Sequence, residues 1–161
     1  MRVGLGGGCH WCTEAVFQSL RGVERVEQGF IRSMTPQDAW SEAVIVHFDP
    51  AIIDLDTLIE VHVRTHAATK RHSMCHKYRS AVYAFDDDQA QAARQAMARL
   101  QTEFDHRLIT QVLPFAGFRA SDERYQDYYR KHSGSVFCQR YIDPKLDRIR
   151  RDFAQHRADL C

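Results

Sequence analysis

Gly6-Gly7-Gly8-Cys9-His10-Trp11-Cys12-Thr13-Glu14 is the stretch on which the reading of this chain turns. It follows Met1 to Leu5, a short run with strand character. It precedes Ala15, Val16, Phe17 and Leu20, which recur at helical spacing. A strand therefore turns on three glycines into a helix that opens around Cys9 to Thr13. The first N–H groups of a helix lack intrahelical acceptors and lie at the positive end of its dipole. A thiol placed there ionises more readily and becomes a nucleophile. The spacing Cys9-x-x-Cys12 points to redox chemistry or metal binding rather than a structural crosslink. The blander alternative is two small, partly buried apolar thiols at a helix start.

Outward from this motif, Gly22 to Ile31 alternates as a strand, and Ser33 to Gln37 is a loop broken by Pro36. Ala43-Val44-Ile45-Val46-His47-Phe48 is the clearest strand and ends at Asp49-Pro50. Leu55, Leu58, Ile59 and His62 mark a helix capped by Asp54, and Ala67 to Lys77 is polar and irregular. Ser80 to Phe85 is another strand. Asp86-Asp87-Asp88 then opens a long alanine-rich helix to about Phe104. Ile109 to Leu113 forms a last strand before Pro114. Glu123 to Lys131 makes a short helix and Lys145 to Arg157 a basic one. The core order strand, helix, strand, strand, helix, strand predicts an α+β fold. Its centre is a ferredoxin-like split βαβ sheet, with additional helices and a C-terminal helical tail.

With 161 residues and no repeat, linker or low-complexity tract, the chain reads as one domain, 1–161. A hydrophobic content of 44% argues against disorder. The net charge of +1 gives no reason to expect nucleic acid or an acidic membrane surface. No apolar run approaches transmembrane length, and the motif itself occupies the place of a signal peptide. Five cysteines, an odd number, suit a reducing compartment, so a cytoplasmic monomer is expected.

Chemistry at Cys9 needs more than a thiolate. Glu42 stands immediately before the clearest strand, and Tyr78, flanked by Lys77 and Arg79, ends the irregular loop. Either can be an ordinary surface side chain. Both reach Cys9 if their strands neighbour the first. His62 and His66, at i, i+4 on a helix, are followed by His72, Cys75 and His76. These are ligand types for zinc or copper, but the loop has no closed spacing motif, so no metal is assigned.

Taken together, Gly8-Cys9-His10-Trp11-Cys12 with Glu14 and Phe17, Gly22-Val23, Gly29-Phe30, Glu42-Ala43-Val44 and Phe48-Asp49-Pro50 form an ordered set. It continues through Tyr78-Arg79-Ser80-Ala81, Gln126-Asp127-Tyr128-Tyr129, Phe137-Cys138-Gln139, Pro144-Lys145 and Arg150-Arg151-Asp152-Phe153. This set resembles the A-class peptide methionine sulfoxide reductases over nearly the whole chain. The resemblance implies that Cys9 attacks sulfoxide sulfur and that Glu42 gives a proton to its oxygen. It also implies that Tyr78 hydrogen-bonds that oxygen and that Trp11 helps to hold the substrate methyl group. Cys9 then becomes a sulfenic acid, and another thiol closes a disulfide. No bound cofactor is implied; an external dithiol such as thioredoxin restores the enzyme.

The chain departs from the family pattern at three places. His10 stands where phenylalanine is usual, making the methyl pocket more polar or adding a titratable donor near the thiolate. The segment Ile31 to Ser41 is short and lacks the family's further tyrosine, leaving Trp40 as the nearest aromatic donor. The loop Lys70 to Lys77 has no carboxylate, where the family carries an aspartate. Among the resolving thiols, Cys138 is expected to bridge Cys9 first, with Cys161 as a relay and Cys12 as the runner-up. Cys138 follows a Gly134-containing loop from which it would swing toward the active site. A different class of reading is a Cys-x-x-Cys metal-binding or thiol redox-sensor module, since small ferredoxin-like carriers hold Cu(I) between such thiolates. The bulky His10-Trp11 pair and the length of the chain count against it.

Overall fold

β3 (Ser41–Phe48), whose centre is the continuous apolar run Ala43 to Val46, lies inside the sheet between β1 and β2. Val44, Val46 and Phe48 enter one hydrophobic cluster and Ala43 and Ile45 another, so both faces of the strand are buried. The computed structural model describes residues 1–66, 68 and 77–156. β1 (Arg2–Gly6) pairs antiparallel with β3, and β2 (Val23–Arg32) pairs antiparallel with the other side of β3. β4 (Ala81–Ala84) lies antiparallel beside β1, β5 (Gln111–Pro114) parallel beside β4, and β6 (Gly117–Ala120) antiparallel beside β2. The resulting order is β5-β4-β1-β3-β2-β6.

The helices are α1 (His10–Gln18), α2 (Leu55–Thr65), α3 (Asp87–Gln101), the one-turn α4 (Tyr128–His132) and α5 (Asp143–Asp152). Leu5 on β1, Val16 and Phe17 on α1, and Leu58 and Ile59 on α2 share the cluster of Val44 and Val46. Asp54 and Asp86 cap α2 and α3 by accepting from the amides of Thr57 and Gln89, 2.8 and 2.7 Å away. Among the described residues no helix is long and apolar enough to cross a membrane.

The structure differs from the expected elements at three points. β6 was not expected, because the four residues Gly117-Phe118-Arg119-Ala120 are too short a run to read as a strand. Its pairing depends on Gly29, where a Cβ would lie 2.2 Å from the Arg119 carbonyl oxygen. The helix expected over Glu123 to Lys131 is broken: a 3₁₀ turn at Glu123–Tyr125 precedes α4, and Asp127 between them has φ of 55°. The segment holding Cys138 is not a swinging loop. It is a π-helical turn, Cys138–Ile142, continuous with α5, and Cys138 is fully buried.

Strand register brings distant sequence to one end of the sheet. Gly6 at the end of β1 pairs with Ala43 and with Ala81, and Phe30 on β2 pairs with Glu42. Cys9, Glu42 and the residues just before β4 therefore meet at that end. Glu42 has the parity of Val44 and Val46, so it faces the helix layer.

Glu14 ties the C-terminal segment to this layer. It is buried, and its carboxylate accepts from Gln28 Nε2 and from the backbone amides of Asp127 and Tyr128, each at 2.9 Å. Glu14→Gln sets an amide donor against those donors and is expected to cost about 2 kcal/mol in urea denaturation, with altered Trp11 emission. Unchanged stability would mean that α4 is held by its aromatic contacts alone.

Candidate active site

The glycine turn presents Cys9. Gly8 has φ of 75°, a left-handed conformation that side chains resist, and a Cβ on Gly7 would lie 2.6 Å from the His66 ring. His62 and His66, considered above as metal ligands, brace this turn instead. His62 Nε2 and the Gly6 carbonyl oxygen are 2.8 Å apart; His66 is bonded through Nδ1 to the His62 carbonyl and through Nε2 to Ser80 Oγ at 2.7 Å. Burial holds both rings neutral: it depresses His62 strongly, and takes His66 down to about 4. Among the described residues no three His, Cys, Asp or Glu side chains are grouped to hold a metal. His72, Cys75 and His76 lie outside the described residues.

Cys9 is the N-cap of α1 and is half-buried. Its thiol is lowered to about 7, first because Cys12 donates its S–H to the thiolate. Burial opposes this, while the amides of Trp11 and Cys12 and the Lys145 ammonium favour the charge. Cys12 is pushed far upward by the same bond, by burial and by the charge on Cys9, so it remains a thiol. Lys145, on α5, donates to the Thr65 carbonyl and is itself lowered by burial, with the two cysteines working against that. Cys9, Cys12 and Cys138 belong to one cluster with Ala15, Ile142 and Leu146, all three sulfurs being unbridged. Cys161 lies outside the described residues.

Glu42 is buried at the start of β3, and its carboxyl is raised to about 7. Desolvation is the largest cause and the Cys9 charge the next; Lys77 and Tyr78 pull in the opposite direction. Oε1 lies 3.1 Å from His10 Nε2, whereas Oε2 is buried without a hydrogen-bond partner among the described residues. The Tyr78 ring has the Lys77 ammonium 5.2 Å from its centroid. His10 is buried, bonded through Nδ1 to the Gly29 carbonyl at 2.8 Å, and lowered first by desolvation.

Trp11 stacks on Tyr128, with centroids 4.1 Å apart and planes at 4°, and meets Phe137 edge-on at 5.4 Å and Tyr125 at 5.6 Å. Cys9, His10, Trp11, Cys12, Glu42, Tyr78 and Cys138 thus gather at one end of the sheet. The Trp40 ring lies near the guanidinium groups of Arg32 and Arg119, 5.5 and 4.8 Å from its centroid. Sequence reasoning had assigned no role to Lys145, Tyr125, Tyr128 or Phe137. All come from the C-terminal third, and no local spacing links them to Cys9. Only the family-like runs Gln126 to Tyr129, Phe137-Cys138-Gln139, Pro144-Lys145 and Arg150 to Phe153 pointed to that region.

The family model for peptide methionine sulfoxide reductase matches residues 1–157. Peptide methionine sulfoxide reductase MsrA of Chromobacterium violaceum is 36% identical, covering 93% of this chain and 94% of that protein. The MsrA of Deinococcus radiodurans is 35% identical, covering 91% and 79%. Among solved structures, methionine sulfoxide reductase A of Corynebacterium diphtheriae is similar with a TM-score of 0.67 at 26% identity, covering 85% and 81%. Reduced Mxr1 of Saccharomyces cerevisiae has a TM-score of 0.77 at 20% identity, covering 86% and 88%. Mxr1 in complex with Trx2 gives 0.64 at 20%, covering 80% and 84%.

If the Cys12 thiol is the main support of the Cys9 thiolate, Cys12→Ala raises Cys9 from about 7 to ~8.5 or above. Alkylation of Cys9 followed by mass spectrometry across pH measures this. An unmoved midpoint would leave the helix amides and Lys145 as the support.

Proposed function

The chain belongs to the peptide methionine sulfoxide reductase family, and from that premise we propose how Cys9, Glu42 and Tyr78 divide the reaction. The protein is a thiol-dependent oxidoreductase that reduces methionine sulfoxide. In the proposed assignment the Cys9 thiolate attacks the sulfoxide sulfur while Glu42 delivers a proton to the oxygen and Tyr78 hydrogen-bonds it. The sulfur–oxygen bond of the substrate breaks and Cys9 takes the hydroxyl as a sulfenic acid. The two electrons gained by the substrate sulfur come from Cys9, and methionine leaves. Thiolate, sulfoxide and one proton become sulfenic acid and thioether, so charge and atoms balance.

The observation that carries this assignment is the pair of opposed shifts at one sheet end. Cys9 is drawn down and Glu42 pushed up to the same value, about 7. Each favours the state the reaction needs in the other, since a thiolate disfavours a second negative charge nearby. The reactive form, ionised Cys9 with protonated Glu42, loses its thiolate below that pH and its acid above it. Trp11, flanked by Tyr128 and Phe137, supports an apolar seat for the methyl group, with the (S)-epimer as the proposed substrate. His10 borders that seat, and Trp40 is given no contact with the sulfoxide oxygen.

Cys138, packed in the apolar cluster of Cys9 and Cys12, is the proposed resolving thiol. Its S–H displaces water from the sulfenic acid and closes a Cys9–Cys138 disulfide. Cys12 is the runner-up and Cys161 a relay. A thioredoxin-like dithiol then reduces the bridge by exchange, and the yeast neighbour's complex with Trx2 supports a reductant of that kind. The strand order β4-β1-β3-β2 with α1 and α2 as crossovers supports the ferredoxin-like description of the centre, within one domain. A cytoplasmic monomer is the setting this reading assumes.

Folded Cys9→Ser is expected to lose all reduction of either sulfoxide epimer, free or in a peptide; retained turnover would end the assignment of Cys9. In single-turnover experiments Glu42→Gln is expected to slow methionine formation by about 10²-fold or more and to remove the alkaline fall in rate. An unchanged first step would return Glu42 to a structural carboxyl. Mass mapping after one substrate equivalent without reductant is expected to find Cys9 joined to Cys138. A dominant Cys9–Cys12 bridge would overturn that order.

A further inference from the structure

His10 is hydrogen-bonded through Nδ1 and lies against Glu42 through Nε2, and the chemistry of the first partner fixes what Nε2 presents to the second. The Gly29 carbonyl oxygen can only accept, so Nδ1, 2.8 Å from it, carries a hydrogen. In the neutral ring Nε2 is then a lone pair, and it faces Glu42 Oε1 at 3.1 Å. An ionised carboxylate in that position would set two lone pairs against each other in a buried site. One proton between Nε2 and Oε1 removes the conflict, whichever atom holds it. We propose that His10 is a positioning residue for the acid: through the Gly29 carbonyl it fixes an imidazole lone pair on Glu42, so that the His10–Glu42 pair retains one proton for the sulfoxide oxygen. This rests on the assignment of Glu42 as the acid.

The groups that face the pair are few. Cys9 at the start of α1, and Lys77 and Tyr78 from the segment before β4, act on Glu42, and Lys77 also acts on His10. Phe30 on β2 and Trp11 on α1 supply apolar rings, 5.3 and 6.2 Å from the His10 ring centroid. Lys77 opposes proton retention in both members, whereas the Cys9 thiolate favours it on Glu42. The proton account closes over a full cycle. Attack by the thiolate passes the shared proton to the sulfoxide oxygen, leaving a carboxylate and a neutral ring. Disulfide closure releases water without a net proton. Reduction by the external dithiol gives Cys9 back as a thiol, and its ionisation supplies the proton that reloads the pair.

The test combines kinetics with a readout independent of turnover. In single-turnover pH profiles, His10→Phe is expected to move the alkaline limb to lower pH, costing about tenfold in rate above neutrality with little change in KM. Heteronuclear NMR of imidazole-labelled protein, assigned by difference with His10→Gln, is expected to show Nδ1 protonated and Nε2 as a hydrogen-bond acceptor near neutral pH. The Nε2 signal should shift on alkaline titration, and Glu42→Gln should abolish that shift. An unmoved alkaline limb in His10→Phe, or an Nε2 signal indifferent to Glu42→Gln, overturns the proposal. If His10→Phe does not fold, the spectra decide alone. If the wild-type protein reduces no sulfoxide, the assignment of function fails, while the same spectra still establish or refute the shared proton.

Discussion

A negative charge on the Cys9 sulfur, held where β1 turns into α1, is the constraint that the surrounding groups answer to. A half-buried thiolate is costly unless donors face it. Here the Cys12 thiol, the first amides of α1 and the Lys145 ammonium supply the compensation. None of these would converge without the glycine turn, and the turn in turn depends on the two histidines of α2 packed against its backbone. The same charge bears on Glu42, which burial has already made reluctant to ionise. The Cys9 thiol and the Glu42 carboxyl are thus shifted in opposite directions, each by several neighbours rather than by one residue.

The sheet supplies the meeting point. β1 runs antiparallel to both β3 and β4, so its end adjoins their beginnings. Cys9 just after β1, Glu42 near the start of β3 and Tyr78 just before β4 are therefore neighbours, although 69 positions separate the first from the last. The C-terminal third then closes over this end. Glu14 binds the amides that open α4, Tyr128 lies flat on Trp11, and α5 carries Lys145 back toward the thiols.

What the sequence disclosed follows from how local each feature is. The strand–glycine–helix order around Cys9, the apolar run of Ala43 to Phe48 and the caps Asp54 and Asp86 are local patterns, and each element formed. β6 escaped because its pairing rests on a close approach at Gly29 rather than on alternation of its own. The helix break at Asp127 depends on a left-handed residue that composition does not disclose. The histidines at 62 and 66 carry a metal-like spacing, yet their ring nitrogens are engaged by the turn and by Ser80. Only the folded structure shows that His10, read as a pocket wall or a donor to the thiolate, turns Nε2 to Glu42.

The central claim is that Cys9 itself receives the oxygen of the substrate and passes the oxidation to a second thiol of the same chain. The most direct measurement is a rapid-quench burst with reduced protein, methionine (S)-sulfoxide and no added reductant, counting methionine formed against free thiols lost. The account predicts one methionine per chain in a single burst near neutral pH, with two thiols lost together. Methionine formed with no loss of thiols, or no burst at all from folded reduced protein, would contradict it.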